Sequence, residues 1–156
     1  MQSDFIAVEC AFSTTDDLWK FLQIPGVDLS ESVFLNVENL IYSDGSQIRL
    51  PPVFAGSELK RFAEKKPVPE YLVLQLYPQS LPIGEAARQM ESIVDYQDYR
   101  NSDCQMIILV YDGMCAEVYC KNPVWLQSVI DEAAHIPGTE VAPKSVLTDS
   151  RTTMYL

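Results

Sequence analysis

Two stretches of this chain are apolar at almost every position: Tyr71-Leu72-Val73-Leu74-Gln75-Leu76-Tyr77 and Met106-Ile107-Ile108-Leu109-Val110-Tyr111. A strand with one wetted face alternates apolar and polar residues, so near-continuous runs of this kind mark strands buried on both sides. Neither run approaches the roughly 20 apolar residues that a membrane helix requires. They are therefore placed at the centre of a sheet, and no membrane role is expected.

Flanking segments supply the rest of that sheet. Ile6, Val8 and Cys10 alternate with Ala7 and Glu9, the pattern of a half-buried strand over Phe5 to Phe12. Ser32 to Val37, Leu40 to Ser43 and Gln47 to Leu50 read as further strands. Asp44-Gly45 and Asp112-Gly113 each separate two such runs, and both central positions of a type I′ hairpin turn need positive φ, which these residue types tolerate. The second turn joins the central run to Met114–Lys121. A last pair of strands is expected over Glu140 to Leu147 and Arg151 to Leu156.

Helices are marked by caps and stripes. Thr14 or Thr15 caps a first helix, Asp16 and Asp17 sit where the dipole favours anions, Leu18, Phe21 and Leu22 face inward, and Pro25-Gly26 ends it. A second helix starts at Ser57 with Leu59, Phe62 and Ala63 inward and stops before Pro67 and Pro69. The clearest begins at Asn122, with Pro123 in the first helical position and Leu126, Val129, Ile130 and Ala133 on one face. Gly84 to Asn101 stays open. Ala86, Ala87, Met90, Ile93 and Val94 fit one helix, while Asp95 to Tyr99 resembles the start of another. The sum is one α+β domain over residues 1–156, with mixed α/β as the alternative. It has a central, largely antiparallel sheet and three to four short helices mainly on one face. A chain of this length buries roughly two-thirds of its unfolded surface, enough for a core without staples.

Charge narrows the partners. With 22 acidic and 11 basic residues the net charge is -11, which repels phosphates and excludes nucleic acid as a partner. Lys60, Arg61, Lys65 and Lys66 form a local exception, but they fall on the solvated face of the second helix. Met1 to Phe5 shows no basic region ahead of an apolar stretch, so no secretory signal is expected. The cysteines at 10, 104, 115 and 120 are accordingly read as reduced thiols of a cytosolic protein.

No chemistry announces itself. Zinc would need close Cys or His pairs, yet there is no Cys-x-x-Cys, Cys115 and Cys120 fall on opposite faces of their strand, and His135 is the lone histidine. His135 is expected to meet the last carbonyls of its helix rather than activate a thiol. No Gly-rich phosphate loop or serine elbow is present, so no cofactor and no metal are assigned. Carboxylates are the remaining catalytic material. Asp95, Asp98 and Asp103 approach one end of the second central strand and Asp112 marks the other, although capping and turn formation account for each separately. Trp19 lies off its helix stripe and Trp125 borders another, so both are expected to be partly exposed and are the candidate anchors for a partner, against rim packing as the competing role.

The succession Tyr99, Ser102-Asp103-Cys104, Ile107 to Asp112, Val118-Tyr119-Cys120-Lys121-Asn122 and Leu147-Thr148-Asp149-Ser150-Arg151-Thr152 resembles an uncharacterised bacterial family known only as a domain of unknown function. The resemblance covers about half the chain, which departs from the family pattern by extra length around Gly84 to Ser92. It implies a small bacterial cytosolic protein and carries no catalytic role. The leading expectation is a non-enzymatic binding or regulatory module with a protein partner. Next comes a small hydrolase using carboxylates near Asp95 to Asp112, then an acidic immunity or inhibitor protein docking to a basic partner. The thiol reading is open to direct titration: in denaturant without reductant all four cysteines should react with a thiol reagent, and two or fewer free thiols would overturn it.

Overall fold

The computed structural model describes residues 4–24, 26–65 and 67–156. Met1 to Ser3, Pro25 and Lys66, which the sequence reading used for the leader, the first helix stop and the cationic group, lie outside the described residues. The chain runs β1 (Phe5–Ala11), α1 (Thr15–Leu22), β2 (Ser32–Ser43), β3 (Ser46–Ile48), β4 (Val53–Ala55), a 3-10 turn (Gly56–Glu58) and α2 (Leu59–Glu64). It continues through β5 (Val68–Pro78), α3 (Ile83–Ser92), α4 (Tyr96–Asn101), β6 (Met106–Tyr111), β7 (Cys115–Cys120), α5 (Pro123–His135) and β8 (Glu140–Ser145).

The architecture is α+β, and every strand pairing in its open eight-stranded sheet is antiparallel. Strand order is β3-β2-β5-β6-β7-β1-β8, with β4 also on the outer side of β2. The two apolar runs lie in β5 and β6, neighbours inside the sheet, and are buried over Leu72 to Tyr77 and Met106 to Val110. Both hairpin turns form as the sequence predicts, with φ of 52° and 78° at Asp44-Gly45 and 57° and 74° at Asp112-Gly113. Ser32 to Ser43 is one strand rather than two, because a register shift between Asn36 and Glu38 absorbs the break in alternation.

One sheet face packs under α1, α2 and α5. Leu18, Phe21 and Leu22, then Leu59 and Ala63, then Leu126, Val129, Ile130 and Ala133 meet Val8, Leu74, Ile108 and Val118 there. The other face carries Ala7, Leu35, Val73, Ile107 and Tyr119 and packs under Ala86 of α3 and Tyr99 of α4, with Ile93 and Met154. The described residues thus hold five α-helices where the sequence predicts three to four, since Gly84 to Asn101 forms two, split at the cap Asp95.

Two expectations are corrected. Trp19 is not exposed. It is 2% accessible, and its Nε1 donates to the Pro67 carbonyl at 2.6 Å, because α1 is packed against α2 and α5 as well as against the sheet. Arg151 to Leu156 is not a strand. It leaves β8 through a turn at Ser145–Asp149 and crosses the second face as irregular chain. No helix among the described residues is long and apolar enough to cross a membrane.

Helix α5 is held by both its stripe and its cap, since Asn122 Oδ1 accepts from the amides of Val124 at 3.0 Å and Trp125 at 3.2 Å. In urea melts Ile130→Ala should cost about 2–5 kcal/mol through the cavity it leaves. Asn122→Ala should cost less, about 0.5–2 kcal/mol, because a single terminal amide pair loses its acceptor. The reverse order would mean that α5 does not pack by this face.

Candidate functional site

The carboxylates singled out in the sequence do not converge. Asp95 and Asp98 form a reciprocal capping box at the start of α4: Asp95 Oδ1 accepts from the Asp98 amide at 2.8 Å, and Asp98 Oδ2 accepts from the Val94 and Asp95 amides at 3.0 and 3.2 Å. Those amides hold the Asp98 carboxyl below its ordinary value. Asp98 also lines a shallow cleft of about 260 Å³ with Arg88, Gln89, Ser92, Asn101 and Ser102. Two of its side chains are committed to neighbours outside the lining: Gln89 bonds Asp103 through both its amide atoms, and Arg88 pairs with Glu85. Asp112 forms the hairpin turn at the far end of β6, a strand of six residues and so about 20 Å long. No shared acid and base geometry joins it to Asp98.

Histidine and thiols are likewise committed. His135 Nδ1 meets the Asp131 carbonyl at 2.6 Å at the end of α5, the helix-terminal role its position suggests. All four cysteines are unpaired. Burial, with Glu9 adding, pushes the Cys10 thiol up to about 12. Burial alone dominates at Cys104, about 12, and Cys120, about 11. Such thiols are poor nucleophiles. Trp125 is half-buried on the flank of α5. Among the described residues no group of three or more His, Cys, Asp or Glu side chains is arranged to hold a metal.

The unusual chemistry lies on the second sheet face, and it follows from register. Glu9 and Glu117 stand directly opposite one another in the β1–β7 ladder. Like charges in that relation repel, and Glu117 is 0% accessible, so its charge must be compensated within the protein. Lys144 of β8 supplies one cation, its Nζ 2.7 Å from Glu117 Oε2 and 3.1 Å from Glu9 Oε2. Arg151 supplies the other, its Nε donating to Glu117 Oε1. Asp149 extends the cluster by accepting from the Tyr119 hydroxyl at 2.6 Å. Burial pulls the Glu9 carboxyl upward, but the hydrogen bond and charge of Lys144, together with a hydrogen bond from the Tyr111 hydroxyl, outweigh it and leave Glu9 below its ordinary value.

This cluster docks the tail. From Arg151 on Glu117 the chain passes the Met154 amide, which donates to Val94 O at 2.8 Å, and reaches Leu156, whose amide bonds the Glu38 carboxylate on β2. Met154 is buried on the way. Three rows of residues across the sheet therefore differ in cover. The row Leu35, Gln75, Ile107, Tyr119 and Ala7 is buried. In the next row the central residues Val73, Leu109 and Glu117 are buried, while Glu38 and Glu9 at its flanks are half-exposed. The last row, Leu40, Tyr71, Tyr111, Cys115, Ala11 and Glu140, is half-buried or exposed throughout. Tyr71 and Tyr111 are directly opposite in this open strip, and Tyr71 is 37% accessible. Burial, with the Glu9 and Glu117 carboxylates beside it, pushes the Tyr111 hydroxyl pKa up.

Sequence reasoning passed over Glu117, Lys144 and Asp149 as functional groups. The available signal was a carboxylate in the strand Cys115-Ala116-Glu117-Val118-Tyr119-Cys120, on the same side as Cys115 and Tyr119.

Fold and site together define an antiparallel α+β sheet protein whose carboxy-terminal segment is clamped across one sheet face by buried ions. The chain belongs to the family described as "Protein of unknown function (DUF2691)", which matches residues 49–155. The match takes in Glu117, Tyr119, Lys144, Asp149 and Arg151 and leaves out Glu9, and its start at residue 49 lies ahead of the carboxy-terminal half that carries the resemblance. The chain is also similar to "Uncharacterized protein YncE" of Bacillus subtilis (strain 168), 25% identical over 61 residues, a stretch spanning 39% of this chain and 38% of that one. No solved structure matches.

If the tail is held by the buried ion pair, Arg151→Met should cost about 3–5 kcal/mol in urea melts, since it strips Glu117 of one of its two cations. Adding Glu117→Gln to Arg151→Met should recover part of that loss by removing the stranded charge. A loss below about 1 kcal/mol, as for a surface pair, would overturn the clamp.

Proposed function

We propose that this protein is a non-enzymatic binding module of the bacterial cytosol that docks a cationic partner protein on the open strip of its second sheet face. One observation carries the reading: Tyr71 and Tyr111 stand side by side in the least covered row of this face, with Glu9, Glu38 and Glu140 at the flanks of the two outer rows. Tyrosine is enriched at interface hot spots because it offers a large, stiff, amphipathic contact at low entropy cost. The carboxylates around it, in a chain of net charge -11, complement and steer a basic partner. An inhibitor or immunity protein is this same surface with a basic enzyme as its partner.

Two further features support the reading. The carboxylates that a hydrolase would use are engaged in capping and turn formation. Four unpaired thiols suit a reducing compartment.

The test is a titration of isotope-labelled protein with a decapeptide rich in lysine and arginine, beside a glutamate-rich control. Amide shifts should concentrate on Tyr71, Tyr111, Cys115 and Glu9 with the basic peptide alone. Tyr71→Ala should weaken binding about tenfold or more. Shifts spread evenly over the acidic surface, or an unchanged affinity in Tyr71→Ala, would overturn the proposal.

A further inference from the structure

We propose that two copies of this chain exchange their carboxy-terminal segments, so that residues 149–156 of each clamp across the second sheet face of the other. In that dimer every Glu117 keeps Lys144 of its own β8 and takes the partner's Arg151. The exchange uses the face beneath the tail and leaves the strip of Tyr71 and Tyr111 open, so it does not depend on the docking reading.

A segment that folds back on its own chain makes the same contacts on a second copy, and the residues connecting it to the body decide between the two forms. Here the connection is Val146, Leu147 and Thr148, between the end of β8 and Asp149 on the Tyr119 hydroxyl. Two observations mark it as a hinge that favours extension. The first is composition. The two hairpins turn on Asp44-Gly45 and Asp112-Gly113, whereas the turn at Ser145–Asp149 has β-branched Val146 followed by Leu147 at its centre, neither of them a turn former. Short-range bonds close it: Ser145 O accepts from the Thr148 and Asp149 amides at 3.2 and 3.0 Å, and Thr148 Oγ1 accepts from the Ser145 amide at 2.8 Å. The second observation is exposure. Val146 is 58% accessible and Leu147 95%, the highest value of any large apolar residue among those described.

Both features follow if the run from Glu140 to Leu147 is a strand interrupted by the fold-back, since β8 is the outer strand of its sheet edge and nothing in the sequence ends it at Ser145. In the exchanged form the two hinges continue straight from β8 and pass each other about a two-fold axis, where Val146 and Leu147 of one copy cover those of the other. Arg151 on Glu117, Asp149 on Tyr119 and the Met154 amide on Val94 O are made equally in both forms. Burial of the hinge is therefore the gain, set against the entropy of association.

The experiment is sedimentation equilibrium on the full chain and three variants. A tail tethered to its own face competes at an effective concentration of the order of millimolar, so the wild type should be a mixture of monomer and dimer near about 1 mM. Removing Val146 and Leu147 leaves Thr148 alone to span the turn, so the tail can no longer fold back and a dimer should form already at about 10 µM. The double substitution Val146→Asn with Leu147→Gly supplies turn formers and should hold the chain monomeric throughout. Both positions are exposed, so these changes leave the core and the ion cluster intact. Tyr71→Ala should match the wild type. A wild type or a deletion variant that stays monomeric at about 1 mM would overturn the exchange. So would a dimer that survives the double substitution, or one that Tyr71→Ala abolishes, because either would place the contact on another surface.

Discussion

Strands β5 and β6 hide their side chains on both sides of the sheet, and the rest of the architecture answers that requirement. Burial of this kind is the main favourable term available to a chain of this size, but it demands cover for two faces rather than one. Helices α1, α2 and α5 provide a full layer on the first. Only α3 and the six-residue α4 stand over the second, and they reach the rows nearest Tyr77 and Tyr119. The irregular tail supplies cover for the row beyond them and leaves the row of Tyr71 and Tyr111 open.

A tail with one deeply buried apolar residue, Met154, gains too little from burial to offset the entropy of ordering eight residues from Asp149 to Leu156. The additional hold comes from charge. Glu117, placed by register in a dry position opposite Glu9, is costly alone and becomes tolerable only when Lys144 and Arg151 reach it. That arrangement makes the two ends of the chain interdependent: β1 supplies Glu9, β7 supplies Glu117, β8 supplies Lys144 and the tail supplies Arg151. An ion pair at such a place favours one path for the tail, since any other path leaves the buried carboxylate with Lys144 as its single cation.

The legible parts of this molecule are those decided within a few residues. Asp112-Gly113 forms its turn because the backbone there needs positive φ, and α5 starts at Asn122 because a side chain can serve two free amides. The doubly buried strands were visible for the same reason, as runs without polar interruption. Trp19 was misread because its cover comes from α2, some forty residues on, a contact that no local pattern encodes. Arg151 to Leu156 was misread as the partner strand of Glu140 to Leu147, whereas its path is set by partners 30 and 34 residues away, Tyr119 for Asp149 and Glu117 for Arg151. Of the docking strip, Tyr71 and Tyr111 could be placed at the ends of apolar runs, but not paired. Their adjacency depends on the β5–β6 register.

The strip stays open for a physical reason that also bears on what fills it. An apolar segment laid across Tyr71 and Tyr111 would gain contact area with two rings but would desolvate Glu140 without pairing it. A cationic segment makes the same ring contacts and replaces the lost water around that carboxylate with hydrogen-bond donors. The tail already solves this problem one row away, where Arg151 compensates Glu117 while Met154 fills the apolar part of the face. An external partner on the open strip would need the same combination, an apolar or aromatic contact surface with a positive charge at one side, and the register of the sheet fixes where that charge must fall.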